Sequence, residues 1–268
     1  MSSIYLLALY ELKRLFMTKR GLLSLLAFAL VWFLILRYAI YGAAQFFTAD
    51  ALGGVMISLI NSVAINNLMT WQIPELAVFW LVSLYVLPIF CIVLTADQTA
   101  SDKARGTLRI LHLRATRDEV FFGRFLGQML ILFFLIGLAL CSTIALVVLR
   151  DANLLIPVLQ LSVVLLINLL IVLLPYKALM AWVSSMAKSA RQSTLYAIII
   201  WIVFSMISGW LSAKFPQLLG LDWVLPGAQI SELLKLSGWN TLSLAYLPIL
   251  QTLVLLLIGR FMMQRSDW

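Results

Sequence analysis

The chain has 268 residues, of which 63% are hydrophobic and only 11% charged, and its formal net charge is +8 at pH 7. A soluble domain carries about 25% charged residues, so this composition excludes a soluble globular protein and indicates an integral membrane protein. The basic residues stand in short groups at the ends of apolar segments, as orientation signals of membrane proteins do, which disfavours nucleic acid as a partner. Cys91 and Cys141 both fall inside apolar segments, where we expect them to behave as small hydrophobic residues.

The N-terminal stretch, residues 1–20, predicts an interfacial helix at the membrane surface, because apolar residues such as Leu7 alternate with the charged Glu11 and Arg14. The apolar segment from Leu22 to about Tyr41 predicts the first span, since about 20 helical residues cross a hydrocarbon core roughly 30 Å thick. A cleaved signal peptide is the alternative. Its apolar region is only about 7–15 residues long, however, which is shorter than this segment.

Arg37 lies near the far end of the first span, where we expect its long side chain to reach the interface; a role in a substrate path is the alternative. The apolar stretch 51–65 is too short for a span, so we expect a re-entrant or surface helix there. The segment 42–75 contains acidic but no basic residues, which places it outside the cell. Leu76 to about Ala96 predicts the second span, with a kink at Pro88.

The stretch between the second and third spans, residues 97–124, is called the central loop here; it holds six basic residues and the only histidine. Thr116 and Glu119 have the spacing of a capping box, which predicts a helix that begins near Arg117 and runs into the third span. Gly106 predicts a helix break, and Thr107 can cap a short amphipathic helix with Leu108, Leu111 and Leu113 along one side. This helix either lies on anionic lipid or docks a soluble partner, and its apolar side favours docking.

The rest of the chain predicts four further apolar helices. The third span runs from Phe125 to Leu149, and a very short turn, residues 150–153, forces it into an antiparallel hairpin with the fourth. The fourth runs from Leu154 to at least Leu174, followed by a basic cluster of Lys177, Lys188 and Arg191. The fifth is expected from Thr194 to about Ser212 and the sixth from Leu242 to Met262. The loop 213–241 contains a short amphipathic segment near Ile230, with Trp223 and Trp239 as interfacial anchors.

The distribution of charge orients these spans. Most of the lysines and arginines fall on the side that holds both termini and the central loop. Because positively charged loops stay in the cytoplasm, the sequence predicts an all-α polytopic membrane protein with six transmembrane helices and both termini cytoplasmic. The sequence contains no phosphate-binding loop of the GxxxxGK[ST] type, no metal-ligand spacing and no paired intramembrane carboxylates. We therefore predict no catalytic residue and no metal site, and His112 is expected to be an ordinary loop residue.

Several of these motifs resemble those of a known family, the permease subunits of ABC transporters of the type-2 exporter class. The resemblance rests on the six-span order, an N-terminal helix containing Glu11, the run from Asp102 to Leu108 in the central loop, and the run from Gly123 to Gly127 ahead of the third span. The stretch from Leu225-Pro226 to Gly238 is also similar. Three features differ from the family pattern. Lys103 and Arg105 stand beside the acidic Asp102, and the pairs Ala115-Thr116 and Gly123-Arg124 stand where Pro-Ser and Gly-Lys are usual.

The resemblance implies a single permease domain, residues 1–268, with a central loop that docks a separate cytoplasmic ATPase and an extracytoplasmic loop over 213–241. The residues it assigns to ATPase docking in a coupling helix are Asp102, Arg105, Gly106, Thr107, Leu108 and Leu111. Those it assigns to a helix cap and lever are Thr116, Arg117, Glu119 and Arg124, while Glu11 and Arg14 belong to the interfacial helix.

The same resemblance implies the partners of the chain. They are two copies of an ABC ATPase, a second permease copy or a homologous permease, the lipid bilayer and an extracytoplasmic accessory protein. ATP and magnesium would bind to the ATPase and no cofactor to this chain, which would lie in the bacterial cytoplasmic (inner) membrane. The implied function is ATP-driven export by a membrane subunit that is not itself an enzyme.

Two other functions fit the sequence. One is a membrane anchor or assembly factor without transport activity, which recruits a cytoplasmic partner through the basic central loop. In that case, charge reversals in the loop matter but nucleotide turnover does not. The other is an intramembrane enzyme, with Asn168 and Lys177 as its candidate residues; polar residues in spans are more often contacts between helices.

Overall fold

The computed structural model describes residues 3–42, 67–68, 70–96, 100, 103, 106–107, 111, 113–214 and 222–265. No β-strand occurs within these ranges. The helices are α1 (Ser3–Met17), α2 (Lys19–Ile35), α3 (Pro74–Thr95), α4 (Arg117–Arg150), α5 (Leu155–Met186), α6 (Ala190–Lys214), α7 (Ile230–Leu233) and α8 (Tyr246–Arg265). The all-α fold expected from the sequence is therefore confirmed.

Six helical segments in the described part of the chain are long and apolar enough to cross a membrane. They are Gly21–Ile40, Pro74–Thr95, Arg117–Arg150, Ala152–Met186, Ala190–Ile207 and Gly238–Arg265. Each overlaps one of the six predicted spans. The stretch 51–65 lies outside the described residues, so its assignment as a re-entrant or surface helix stays a prediction.

The ends of the first spanning helices follow local chemistry. Thr18 precedes α2, and its side-chain hydroxyl accepts a hydrogen bond from the backbone N–H of Gly21 at 3.1 Å, which satisfies one free donor of the first turn. After Ile35 the helix widens into a π-helical turn, Leu36–Ile40. The guanidinium of Arg37 there lies 5.2 Å from the centre of the Tyr41 ring. Helix α3 begins with Pro74 in its first turn, where the missing N–H is harmless, and it continues through Pro88.

Helices α4 and α5 are longer than a span requires. They contain 34 and 32 residues, so each extends well beyond the ~20 residues needed to cross the hydrocarbon core. The turn between them, Ala152–Leu154, begins with the Asp151 side chain accepting from the N–H of Asn153 at 3.0 Å. This tight turn confirms the predicted antiparallel hairpin.

Helix α5 occupies the centre of the bundle and contacts α3, α4, α6 and α8. The core around it consists of fully buried aromatic and aliphatic side chains, including Phe79 and Trp80 of α3, Ile136 of α4 and Leu173 of α5. Large apolar side chains also cover the outside of the bundle; Phe33, for example, is 64% exposed. A bundle that is apolar both inside and outside suits a lipid surrounding.

The bundle has two ends, the central-loop side and the opposite side. The central-loop side holds the start of α4 and the end of α8, which contact each other through Arg117 and the backbone of Gln264. The opposite side holds the start of α3 and the end of α4, where the carboxylate of Glu75 pairs with Arg150. The α4–α5 turn lies on this opposite side as well.

Candidate functional site

The central loop begins with a turn at Gly106. The backbone N–H of Gly106 donates to the carbonyl of Lys103 at 3.1 Å, and Gly106 has φ of 70°, a conformation that favours glycine. The helix break predicted there is confirmed. Other predicted docking residues, namely Asp102, Arg105 and Leu108, lie outside the described residues, as does His112.

Two contacts attach the central loop to the bundle. The backbone N–H of Ala100 donates to the hydroxyl of Ser184, near the end of α5, at 3.2 Å. Burial and, to a smaller extent, repulsion by the positive charge of Lys188 lower the pKa of Lys103 below its usual value, an effect that does not itself hold the loop. Leu111 packs against an apolar cluster formed by residues of α4, α5 and α8. The loop therefore follows the positions of these helices.

Leu111 and Leu113 do not share one face of the loop, although the sequence pattern places them together. Leu111 is half-buried against the bundle, whereas Leu113 is 84% exposed and stands in a turn closed by Arg114 and Leu111. The difference arises because Leu113 lies in a turn and not in a helix, so helical periodicity does not apply to it. Among the described residues of the loop, Leu113 is the apolar side chain that faces outward.

Helix α4 starts with the predicted capping box. The backbone N–H of Thr116 donates to the Glu119 carboxylate at 2.8 Å, and the N–H of Glu119 donates to the Thr116 hydroxyl oxygen at 3.3 Å. Two free donors of the first turn are thereby satisfied reciprocally, which fixes the first residue of α4. This prediction is confirmed.

The first two residues of α4, Arg117 and Asp118, contact the end of α8. The Arg117 guanidinium donates to the backbone carbonyl of Gln264 at 2.5 Å, where a C-terminal helix end leaves carbonyls unpaired. Asp118 accepts two hydrogen bonds from Arg260, at 3.2 and 2.7 Å, and a third from Gln264 at 3.3 Å. The start of α4 and the last turn of α8 are therefore held together by a bidentate ion pair.

The sequence predicts the cap but not the contact with α8. One signal was present, because an acidic residue in the first turn of one helix complements a basic residue in the last turn of another. Nothing in the sequence, however, specified which helix end Asp118 would meet.

Helix α1 packs along the first turns of α4. A Cβ atom at Gly123 would lie 2.9 Å from Cβ of Leu7, and one at Gly127 would lie 2.7 Å from Cβ of Glu11, so side chains at these positions would be too close. The spacing of the two glycines allows close backbone approach, as in other small-xxx-small helix pairs. This signal was present in the sequence and was interpreted only as a family motif.

Two residues of the predicted site are buried beneath this contact. Glu11 is 6% exposed, with its carboxylate 3.6 Å from the guanidinium of Arg14, and Arg124 is 3% exposed. Helix α1 therefore buries Glu11 together with Ala8 and Leu15 against the bundle, while Tyr10, 63% exposed, faces outward. The roles assigned to these residues in docking, leverage and the interface stay predictions.

The prediction of a basic cluster after the fourth span is wrong for one of its three residues, Lys177. Lys177 lies inside α5, fully buried, and its ammonium donates to Oε1 of Gln128 on α4 at 3.2 Å. A proline, Pro175, follows the predicted end of the fourth span, but α5 continues for eleven residues beyond it, so Lys177 lies inside the helix. Lys188 and Arg191 do follow the helix.

The loop between α6 and α8 on the opposite side is fixed by neutral polar side chains. Asn168 of α5 donates to the hydroxyl of Thr241 at 2.7 Å, and Gln251 of α8 donates to the carbonyl of Trp223 at 2.6 Å. Tyr176 donates to the carbonyl of Pro226 at 3.2 Å and stacks on Trp201 of α6. The short helix predicted near Ile230 is present as α7.

Next to the loop between α6 and α8, an apolar cavity of about 750 Å³ opens between α3 and α6. Tyr85 and Ile89 of α3 and Ile198 and Ile202 of α6 line its walls. These side chains are each at least 45% exposed, so this face of the bundle has nothing packed on it within the described chain. No group of three or more histidine, cysteine or acidic residues suited to a metal was found among the described residues.

A family model described as "ABC-2 family transporter protein" matches residues 5–264, nearly the whole chain. A search of curated proteins found no match.

Proposed function

The chain belongs to the ABC-2 family of transporter proteins, and from this premise we propose that it is the membrane subunit of an ATP-driven exporter. Its family and its six apolar helices identify it as a multi-pass transport permease. A permease of this family works in general with an ABC ATPase. In the proposed function, hydrolysis of ATP with magnesium on two copies of that ATPase moves a substrate outward across the bacterial cytoplasmic membrane, with both termini of this chain in the cytoplasm.

The observation that carries the proposal is the attachment of the central loop to two long helices. The loop leads into the capped start of α4, and the first turn of α4 is held to the end of α8 by Arg117 and Asp118. A force applied to the loop by a moving ATPase would therefore act on α4 and α8 together. Rigid-body motion of packed helices is one of the common ways in which such a local push becomes a large rearrangement.

A second permease copy, or a homologous permease, would complete the transport path. The face of α3 and α6 around the 750 Å³ cavity supports this part of the proposal, because its large apolar side chains are exposed in the single chain. Two such faces brought together would enclose an apolar passage. The exposed Trp239 near the loop between α6 and α8 also leaves a surface for an extracytoplasmic accessory protein.

The proposal is tested by purifying the tagged chain in mild detergent and measuring both the amount of ATPase that accompanies it and its vanadate-sensitive ATP hydrolysis. We expect a roughly equal amount of ATPase. In the Leu108→Asp and Leu113→Asp variants, a charge on the docking surface should remove the ATPase without unfolding the spans. Leu108 is chosen from its sequence position and Leu113 because it is 84% exposed.

The matched control is Leu149→Asp, the same change at a leucine that is 89% exposed at the other end of α4. It should leave the ATPase bound. If the unchanged chain purifies with a partner that is not an ATPase, or alone, the export proposal fails and recruitment by a membrane anchor takes its place. If the ATPase binds but both loop variants retain it, docking occurs elsewhere on the chain.

A further inference from the structure

Two cavities separate the first span from α4. Near the start of the span, a cavity of about 300 Å³ lies between Ser24 of α2 and the residues Gln128 and Ile131 of α4. Further along, a groove of about 440 Å³ lies between residues 28–36 and residues 138–142 of α4. Helix α2 therefore has free space beside α4 along much of its length. Helix α1, by contrast, is in close contact with both helices.

The contact between α1 and α4 involves the backbone of α1. A Cβ atom at Gly127 of α4 would lie 3.1 Å from Cα and from the carbonyl oxygen of Ala8. Further along α1, the ring of Phe16 meets the ring of Phe134 edge to face, with 5.3 Å between the ring centres. Backbone atoms cannot move aside as the ends of flexible side chains do. Helix α1 is therefore held firmly along the first turns of α4.

The corner between α1 and α2 is also fixed by the backbone. The Thr18 hydroxyl donates to the carbonyl of Arg14, at the end of α1, at 2.9 Å, and it accepts from the N–H of Gly21, in the first turn of α2, at 3.1 Å. A Cβ atom at Gly21 would collide with the carbonyl group of Leu15, so the start of α2 lies directly on the backbone of α1. The angle of this corner is thus set by contacts that leave no room for adjustment.

Beyond the corner, α2 contacts α3 through aromatic rings. Phe28 meets Phe90 edge to face, with 5.2 Å between the ring centres, and Trp32 meets Phe79 in the same way at 5.3 Å. We propose that α1 is a rigid bracket between α4 and α2. When the start of α4 is displaced, α1 carries the start of α2 with it, and α2 tilts about its ring contacts with α3. This inference rests on the proposed function, in which the ATPase displaces α4.

The rigidity of the bracket is tested on the full chain without an ATPase, in nanodiscs, by distances between spin labels. The native Cys141, which is exposed on α4, and Leu6→Cys on the exposed side of α1 report the α1–α4 distance; Cys91 is fully buried and should not react with the label. Leu6→Cys with Leu30→Cys, in a chain that also carries Cys141→Ser, reports the α1–α2 distance. Both distance distributions should be narrow. A broad α1–α2 distribution would overturn the proposal.

Two glycine variants should loosen the two contacts separately. Gly21→Ala should at least double the width of the α1–α2 distribution and leave the α1–α4 distribution unchanged, and Gly127→Ala should do the reverse. Gly137→Ala is the matched control, because a Cβ atom at this glycine of α4 would meet nothing within 4 Å, and it should change neither distribution. If Gly21→Ala does not fold, Thr18→Val decides instead, since it removes the hydroxyl bonds of the corner without a collision. A narrow α1–α2 distribution in the corner variant would contradict the proposal.

The motion is then measured in the complex with the ATPase, before and after trapping with ATP and vanadate. In chains with Cys141→Ser, a label at Val224 in the loop between α6 and α8 is paired with one at Leu126, near the start of α4, or at Leu23, near the start of α2; all three side chains are exposed. Both distances should change together, whereas in Gly21→Ala only the α4 distance should change. A change at α4 without one at α2 would overturn the bracket. No change at either would count against the ATP-driven function, and the distances in the chain alone then decide whether α1 is rigid.

Discussion

The two sides of the bundle are held together by different chemistry. On the opposite side, neutral groups in buried positions fix the loop between α6 and α8: Asn168 is 3% exposed and Tyr176 is 3% exposed. On the central-loop side, the contact between α4 and α8 depends on Asp118 and Arg260, whose side chains are 36% and 45% exposed. The loop between α6 and α8 is thus held by hydrogen bonds that water does not reach, whereas the contact between α4 and α8 is an ion pair in contact with solvent; the opposite side also contains an ion pair, between Glu75 and Arg150, at the ends of α3 and α4.

The two contacts differ in the free energy that is needed to break them. A buried hydrogen bond between neutral groups has no water to replace it, so breaking it leaves an unsatisfied group at a cost of about 1–3 kcal/mol. An exposed ion pair contributes only about 0–1 kcal/mol and is exchanged readily for water or for another charged group. The α6–α8 loop therefore serves as a fixed end, and the contact between α4 and α8 is the one that a partner is able to alter.

The largest effect is expected from Gly227→Ala in the fixed end. Gly227 has φ of 91°, and a Cβ atom there would collide with the hydroxyl oxygen of Tyr176. Backbone strain alone costs about 1–2 kcal/mol, and displacement of Tyr176 from the carbonyl of Pro226 adds a lost hydrogen bond. The apparent Tm of the purified chain should fall by several degrees.

Gly238→Ala is the control for this prediction. Gly238 also has a positive φ, 57°, but a Cβ atom there would meet nothing within 4 Å. It should lower the Tm by the strain term only, so the difference between the two variants measures the contact with Tyr176. Equal losses in both would mean that the loop is not seated on Tyr176, and the comparison between the two sides would break down.

A smaller effect on stability is expected from Arg260→Gln at the contact between α4 and α8. Because the ion pair with Asp118 is exposed, its loss should cost less than about 1 kcal/mol, and less still at high salt. Transport-coupled ATP hydrolysis should fall more than stability does, since the start of α4 is then held to α8 only by the hydrogen bonds of Gln264 with Arg117 and Asp118. The measurements are the Tm at low and high salt and the ATP turnover of the reconstituted complex.

The double variant Asp118→Asn with Arg260→Gln sharpens this test. It removes both charges, leaves no unpaired ion, and should be no less stable than either single variant. A loss of stability as large as that of Gly227→Ala, and independent of salt, would place the contact between α4 and α8 in the same class as the buried contacts of the opposite side. The proposed division into a fixed and an alterable end would then be wrong.

Local chemistry in the sequence predicted local structure well. The capping box at Thr116 and the break at Gly106 depend on neighbouring residues, and both are present. The six spans followed from apolar length alone. Contacts between distant helices were not predictable, because the choice of Arg260 as the partner of Asp118 and of Gln128 as the partner of Lys177 depends on how the helices pack. The pairing of α1 with α4 was predictable in part. Two glycines four residues apart indicate a close contact between helices, but they do not specify which helix makes it.

The smallest expected effect concerns the attachment of the central loop at Lys103. Burial is the main reason that its pKa is lowered, and the positive charge of Lys188 lowers the pKa further. In Lys188→Gln the second cause is removed, so the pKa of Lys103 should rise while staying below its usual value. Because only the neutral amine is acylated, Lys103 should then react more slowly with acetic anhydride at mildly alkaline pH, which mass spectrometry of the modified peptide measures.

Arg191→Gln, which removes another exposed positive charge from the α5–α6 region, should leave the reaction of Lys103 unchanged. An identical pH profile in Lys188→Gln and in the unchanged chain would mean that Lys103 does not lie near the α5–α6 turn. The inference that the central loop follows the positions of these helices would then be weaker. If the predicted slowing is found, two like charges face each other at the loop attachment and repel. A partner that brings an acidic side chain between Lys103 and Lys188 would relieve that repulsion. Binding of such a partner would therefore stabilise the central-loop side, whereas the neutral, buried contacts of the loop between α6 and α8 offer no charge for a partner to neutralise.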